Sequence, residues 1–275
     1  MTVDLNHLLT RSVRDEPVQW QGRDVALYAI GCGLGREGPV DAESAFIRLG
    51  PELKVLPTFA SLLGSAALLE ACGLSSAELW TVAEHLLVHR PLTEKGAARL
   101  DSRVTGARAV PDDGGFELDI DSDARNARGE LLFTAQRTMR ASASLDAGSG
   151  EPQGGAPSRR ADLVCSLPVR QDQGMLYELA AEPFAAATEP ASPGNTEALP
   201  GLCTFGIACR AILATICEYD VTLVRSLSGR FPARAHAGEN LVTEMWQQAN
   251  RVAFQVRSAE RDLVVLSDGQ CELAA

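Results

Sequence analysis

No stretch of this 275-residue chain stays apolar for the length of a membrane crossing. The N-terminus, Met1-Thr-Val-Asp-Leu-Asn-His, lacks the basic region and apolar core of a secretory leader, so none is expected. Positive charge is short as well. The net charge of −11 argues against a general nucleic-acid or anionic-membrane surface. There is no C-x-x-C, and the seven cysteines (32, 72, 165, 203, 209, 217 and 271) are odd in number and scattered. The four histidines do not pair with them at ligand spacing, so no metal is expected, and no other cofactor. Cysteines of this kind read as reduced small hydrophobes in a cytoplasmic protein. What remains is a normal globular balance, 45% apolar and 22% charged, enough to fill one large domain or two ordinary ones.

The most informative stretch is Leu199-Pro-Gly-Leu-Cys-Thr-Phe-Gly-Ile-Ala-Cys-Arg-Ala-Ile-Leu-Ala-Thr-Ile-Cys-Glu-Tyr219. Phe205, Ala208, Ala211, Ile212, Thr215, Ile216 and Tyr219 recur at helical steps, and Ile207 and Leu213 widen that face until little polar surface is left. A helix apolar nearly all round belongs in the middle of a fold. Its head at Pro200-Gly201 offers amide donors and the positive end of the dipole to an oxygen or anion.

Upstream, Arg23–Gly33 reads as a short helix with Asp24 as its cap, and Ser61–Gly73 as another. Strands are expected at Thr81–Val88, Arg99–Val110, Gly115–Ser122 and Glu130–Ala141. Residues 146–160 are the best linker, rich in Gly, Pro and Ser, between units at 1–145 and 161–275. The same order then restarts. Ala161–Val169 is extended, Asp172–Ala181 is helical, and the long helix is followed by strands near 222–231, 240–248, 251–258 and 262–267. Helices followed by strands, twice, imply an α+β fold with an internal duplication of element order.

Several pieces, in order, resemble the MaoC-like dehydratases and type-2 (R-specific) enoyl-CoA hydratases. They are Arg23-Asp-Val-Ala-Leu-Tyr-Ala-Ile-Gly-Cys-Gly, Val55-Leu-Pro-Thr-Phe-Ala, Val88-His-Arg-Pro-Leu, Leu176-Tyr-Glu-Leu, Pro200-Gly-Leu-Cys-Thr-Phe-Gly and Ala237-Gly-Glu-Asn-Leu-Val-Thr-Glu-Met-Trp. The resemblance implies a double hot-dog, each half a curved antiparallel sheet wrapped around a central helix, with the ligand site in the second half. It also implies an Asp/His pair that works on a water and a helix-head glycine amide that stabilises a thioester enolate.

Here the motif segment reads Tyr177-Glu-Leu-Ala-Ala-Glu-Pro-Phe-Ala-Ala-Ala-Thr-Glu-Pro. Against the family pattern Glu182 replaces the Asp, Ala187 the His and Phe184 the Asn, while Pro200 replaces a histidine before the retained Gly201. Alanine moves no proton, and losing a positioned acid or base costs roughly 10²–10⁴-fold. The candidate catalytic set is therefore Glu182, Gly201 and His236, the last against the plainer reading of a loop histidine. Tyr177, Phe184, Leu202, Cys203 and Phe205 are candidate ligand contacts, with core packing the competing role for Tyr177 and Cys203. Asp172 reads as a cap or a pocket acid.

Three functions follow from this pattern. One is a hot-dog enzyme repurposed for cyclisation, isomerisation or intramolecular addition on an acyl thioester or polyketide-like chain in bacterial secondary metabolism. Another is a hydratase or dehydratase with a rearranged pair. The third is a supporting subunit. The expected partners are a small acyl ligand and a second hot-dog chain, its own copy or another.

Overall fold

The computed structural model describes residues 4–35, 41–64, 66–75, 79–110, 115–141, 157, 159–184 and 198–274. Among these residues ten strands form one antiparallel sheet: β1 (Ser12–Trp20), β2 (Trp80–Val88), β3 (Gly96–Val110), β4 (Gly115–Arg125), β5 (Leu131–Ala141), β6 (Leu163–Pro168), β7 (Val224–Arg230), β8 (Asn240–Gln248), β9 (Arg251–Ser258) and β10 (Leu263–Leu273). Their order is β1-β3-β4-β5-β2-β7-β10-β9-β8-β6. Each half contributes five strands, and the halves meet where β2 pairs with β7, Leu86 opposite Leu227. Strict alternation makes one face apolar. Leu118, Ile120, Ser122 and Ala124 of β4 and Leu241, Thr243 and Met245 of β8 are buried, while their neighbours are less so.

Among the described residues six α-helices accompany the sheet: α1 (Leu5–Leu8), α2 (Gly22–Gly31), α3 (Asp41–Ser44), α4 (Ala66–Ala71), α5 (Gln173–Ala181) and α6 (Gly201–Thr215). Every residue of α6 from Gly201 to Leu213 is buried, as its apolar circumference requires. The helix stops short of the expected end, because Glu218 and Tyr219 turn left-handed (φ 50° and 59°). In α2 the starting residue is Gln21, and Asp24 accepts its N–H from the first turn (2.8 Å) rather than capping directly. The span read as one helix from Ser61 divides into a 3₁₀ turn, Pro57–Leu62, and the short α4. The N-terminal half therefore has no counterpart of the long α6 among its described residues. The linker expected at 146–160 falls mostly outside the described residues.

Small residues let the helices close on one another. A Cβ on Gly206 of α6 would lie 2.3 Å from Cys32 Sγ and 3.0 Å from Tyr28 Oη, both belonging to the α2 end. A Cβ on Gly31 would lie 2.8 Å from the Tyr177 Cα of α5. The one charge on the buried span of α6 is answered across the halves. Arg210 Nε and Nη2 donate to Glu43 Oε1 and Oε2 (2.7 and 3.1 Å), with both side chains nearly fully buried. Glu43 also accepts the Tyr219 hydroxyl (3.1 Å) and the Gly35 N–H (2.8 Å).

A buried charge stripped of its partner is strongly unfavourable. Glu43→Ala is expected to lower unfolding stability by about 3–5 kcal/mol in urea titrations. The pair replacement Glu43→Leu/Arg210→Met should restore most of the loss. An Ala variant as stable as the parent would mean that water reaches this pair.

Candidate functional site at the head of the central helix

The approach to α6 is built by pairing two loops. Leu199 donates its N–H to the Ala235 carbonyl (2.7 Å), and Ala198 forms an isolated antiparallel bridge with His236. The chain then enters α6 through Pro200, whose carbonyl accepts the N–H groups of Cys203 (3.0 Å) and Thr204 (3.3 Å). Phe231 covers this end. A Cβ on Gly201 would meet its ring at 3.1 to 3.4 Å, so glycine is what allows the ring to sit so close. Phe231 is tied to the other half by its N–H to the Val82 carbonyl (2.9 Å), and its ring stands edge-on to Phe205, centroids 6.2 Å apart.

The loop that carries His236 is clamped by a charge pair. Glu239 Oε2 accepts the His236 backbone N–H (2.8 Å). Arg261 holds Glu239 through Nε and Nη2, and its Nη2 also reaches the Arg234 carbonyl (2.6 Å). Gly238 makes the turn at φ +87°. Burial pushes the Glu239 carboxyl up, but the Arg261 guanidinium, the His236 N–H and the Ser258 side chain outweigh it and hold the group below its ordinary value. Nothing in the sequence pointed to Arg261, and Glu239 was visible only as part of the Ala237-Gly-Glu-Asn piece.

The structure brings some candidates together and keeps others apart. The His236 backbone bridges Ala198, three residues before Gly201. Glu182, at the C-terminal end of α5, is solvent-exposed. Tyr177 is fully buried between α5 and α2, its ring 5.8 Å from Tyr28. Phe184 is half-buried and stands edge-on to Phe59 at 5.7 Å; Phe59 in turn contacts Tyr28 and Trp20. These rings form one aromatic cluster joining the halves, which sequence reading recognised only at Tyr177 and Phe184. Leu202, Cys203 and Phe205 are fully or almost fully buried, and the Cys203 thiol donates to the Gly31 carbonyl at 3.6 Å. Asp172 occupies the cap position of α5 and lies 4.0 Å from Arg170. Ala187, where the family histidine is expected, lies outside the described residues. Two clefts of about 400 Å³ lie elsewhere, one lined by His85, Gln136, Asp121 and Arg230, the other by Glu16, Glu70 and Leu74. Among the described residues no group of three or more His, Cys, Asp and Glu is placed to hold a metal.

The chain is 31% identical over 287 residues to the peroxisomal enoyl-CoA hydratase 2 of Arabidopsis thaliana, covering 94% of this chain and 92% of the relative. It belongs to the MaoC-like, enoyl-CoA hydratase 2 family. No protein-family model matches it. Its fold follows that of a MaoC-like dehydratase from Phytophthora capsici (TM-score 0.75, 19% identity, 99% of this chain and 98% of that one). A Mycobacterium tuberculosis protein described as a double hot-dog aligns at TM-score 0.60 with 15% identity, over 96% of this chain and 95% of that one. The α+β double hot-dog architecture expected for a MaoC-like chain is thus present. Among the described residues no helix is long and apolar enough to cross a membrane.

Two outcomes check the site as built. All seven cysteines are free thiols. Desolvation pushes Cys32 and Cys271 up to about 12 and Cys217 up to about 11, whereas Cys72 and Cys165 are partly exposed. Native-state titration with a disulfide reagent at neutral pH should therefore label Cys72 and Cys165 first, and the other five, Cys203 included, only on unfolding. Early labelling of Cys203 would show that its thiol is accessible rather than committed to core packing. For the clamp, a depressed folded pKa means stability present above the ordinary Glu value of 4.5 and lost as pH falls through the folded value. Glu239→Gln should melt below the parent at neutral pH, with the gap closing as pH falls below 4.5 and through the lower folded value. A gap that persists unchanged in acid would show that the charge is not what matters.

Proposed function

We propose that this chain binds an acyl thioester with its carbonyl at the head of α6, and that the ordinary water-adding pair has been lost. The observation that carries the reading is a missing proton carrier. No histidine stands between His89 and His236, and Glu182, aligned with the family's acid, faces solvent. What remains is the positive end of a helix buried from Gly201 to Leu213, with glycine at its first position. Such an end polarises a carbonyl and stabilises negative charge that develops on its oxygen, while surrounding apolar walls orient a chain. These parts suit reactions in which the substrate brings its own nucleophile, such as cyclisation, isomerisation or intramolecular addition, on an acyl-CoA or polyketide-like chain. The relatives named enoyl-CoA hydratase support the thioester as the ligand class.

A second reading is favoured by the Ala198–His236 bridge, which sets the His236 backbone beside the approach to the helix. In that case His236, with Glu182, would supply a rearranged acid/base pair and the chain would hydrate enoyl thioesters.

Crotonyl-CoA and longer trans-2-enoyl-CoAs, followed at the enoyl thioester absorbance, separate the two. The proposal expects saturable binding by calorimetry with hydration at least about 10²-fold below that of an ordinary hydratase, unaffected by Glu182→Gln or His236→Ala. Hydration at ordinary rates that falls by roughly 10²-fold or more in His236→Ala would establish the second reading. Failure to bind any acyl-CoA would remove the thioester from both.

A further inference from the structure

On the outer face of the sheet a cleft of about 400 Å³ crosses β4, β5, β2, β7 and β10, which run side by side. Its size suits a small metabolite. Two charges in it are left over. Arg230 of β7 and Asp268 of β10 both line the cleft, from neighbouring strands ~4.8 Å apart. Yet they form no ion pair, and the Arg230 side chain has no partner among the described residues. Asp268 accepts only the hydroxyl of its own neighbour, Ser267 (3.1 Å). The other acidic groups on this face are taken, Asp119 by Arg108 and Thr138, and Asp121 by Arg103. The backbone is also bent to carry Asp268. Between Ser267, opposite Arg230, and Gln270, opposite Ser228, β10 holds one residue more than β7. Asp268 sits in this bulge with φ +54°, a left-handed conformation unfavourable for a residue with a side chain. Beside these charges His85 is held in one orientation. Gln136 Nε2 donates to Asp121 Oδ1 (3.4 Å), which turns the Gln136 carbonyl to His85. Nδ1 of the imidazole therefore donates (3.1 Å), and in the neutral ring Nε2 keeps a free lone pair. Ser228, directly across from His85 on β7, adds a hydroxyl without a partner among the described residues.

We propose that this cleft binds a small zwitterion, a free α-amino acid, through its ammonium and carboxylate groups. Arg230 and Ser228 donate to the carboxylate, while Asp268 and His85 Nε2 accept from the ammonium. Charge selects this class of ligand. A simple anion approaching Arg230 also meets Asp268, and a simple cation approaching Asp268 also meets Arg230. A molecule with both signs on neighbouring atoms leaves neither side chain unpaired and meets no like charge. The far side of the cleft, where Thr105, Thr138 and Gln136 stand, is uncharged apart from carboxylates already paired, so it suits a neutral polar side chain.

Calorimetric titration of the full chain with L-serine, L-asparagine and L-glutamine, each to 10 mM, tests the proposal. At least one should bind saturably, one per chain. The deaminated and the decarboxylated analogue of that amino acid each carry a single charge and should bind at least tenfold more weakly. Arg230→Gln and Asp268→Asn should each weaken the amino acid at least tenfold. Asparagine tolerates the left-handed backbone at position 268, and melting curves check that both variants stay folded. No binding by any of the three, an analogue that binds as well as its amino acid, or an affinity unchanged in either variant would each overturn the proposal. None of these outcomes depends on whether an acyl thioester binds.

Discussion

A helix buried on every side leaves no face on which a mismatch can be tolerated, and α6 imposes that constraint on the rest of the chain. Gly206 must lack a Cβ because Cys32 and the Tyr28 hydroxyl already occupy the space. Gly31 must lack one because the α5 backbone passes against it. Arg210 must find a carboxylate, and it finds Glu43 in the other half. Cores this tightly filled respond to changes of a single methyl group, so the halves and their helices are specified together rather than separately.

The same constraint shapes the chemistry. The buried helix fixes the position and direction of its head, and the Glu239–Arg261 clamp fixes the loop that bridges to its approach. Yet the side chains that follow Gly201 are committed to packing. Leu202, Cys203 and Phe205 face neighbours, and Phe231 lies over the glycine itself. What this end of the fold offers a ligand is therefore oriented backbone rather than a set of titrating side chains.

Elements with strong periodicity were legible in the sequence, and those built by tertiary context were not. The all-round apolar pattern located α6 to within a residue at its head; its end was overextended because Glu218 and Tyr219 adopt left-handed conformations that composition does not announce. Alternation in β2–β5 and β7–β9 revealed those strands nearly at full length. β1 was missed because its charges and proline, which protect an outer strand, also erase the alternation that identifies one. The split of 57–71 into a 3₁₀ turn and a short helix escaped notice because its leucines suit either arrangement. Gly201 was visible as the first residue of α6 from the helix-head pattern. The Phe231 cover, the Arg261 clamp and the Phe59–Tyr28 rings were not, since each joins residues far apart in sequence with no local signature.

The central claim is that the first turn of α6 is where a thioester carbonyl is held. Hydrogen exchange read by mass spectrometry on peptides spanning 199–206, with and without saturating crotonyl-CoA, tests it most directly. The account predicts slowed exchange in that first turn and in the 232–239 loop, with no comparable change in the His85–Gln136 cleft. Protection confined to that cleft, or none near Gly201 despite measurable binding, would contradict it.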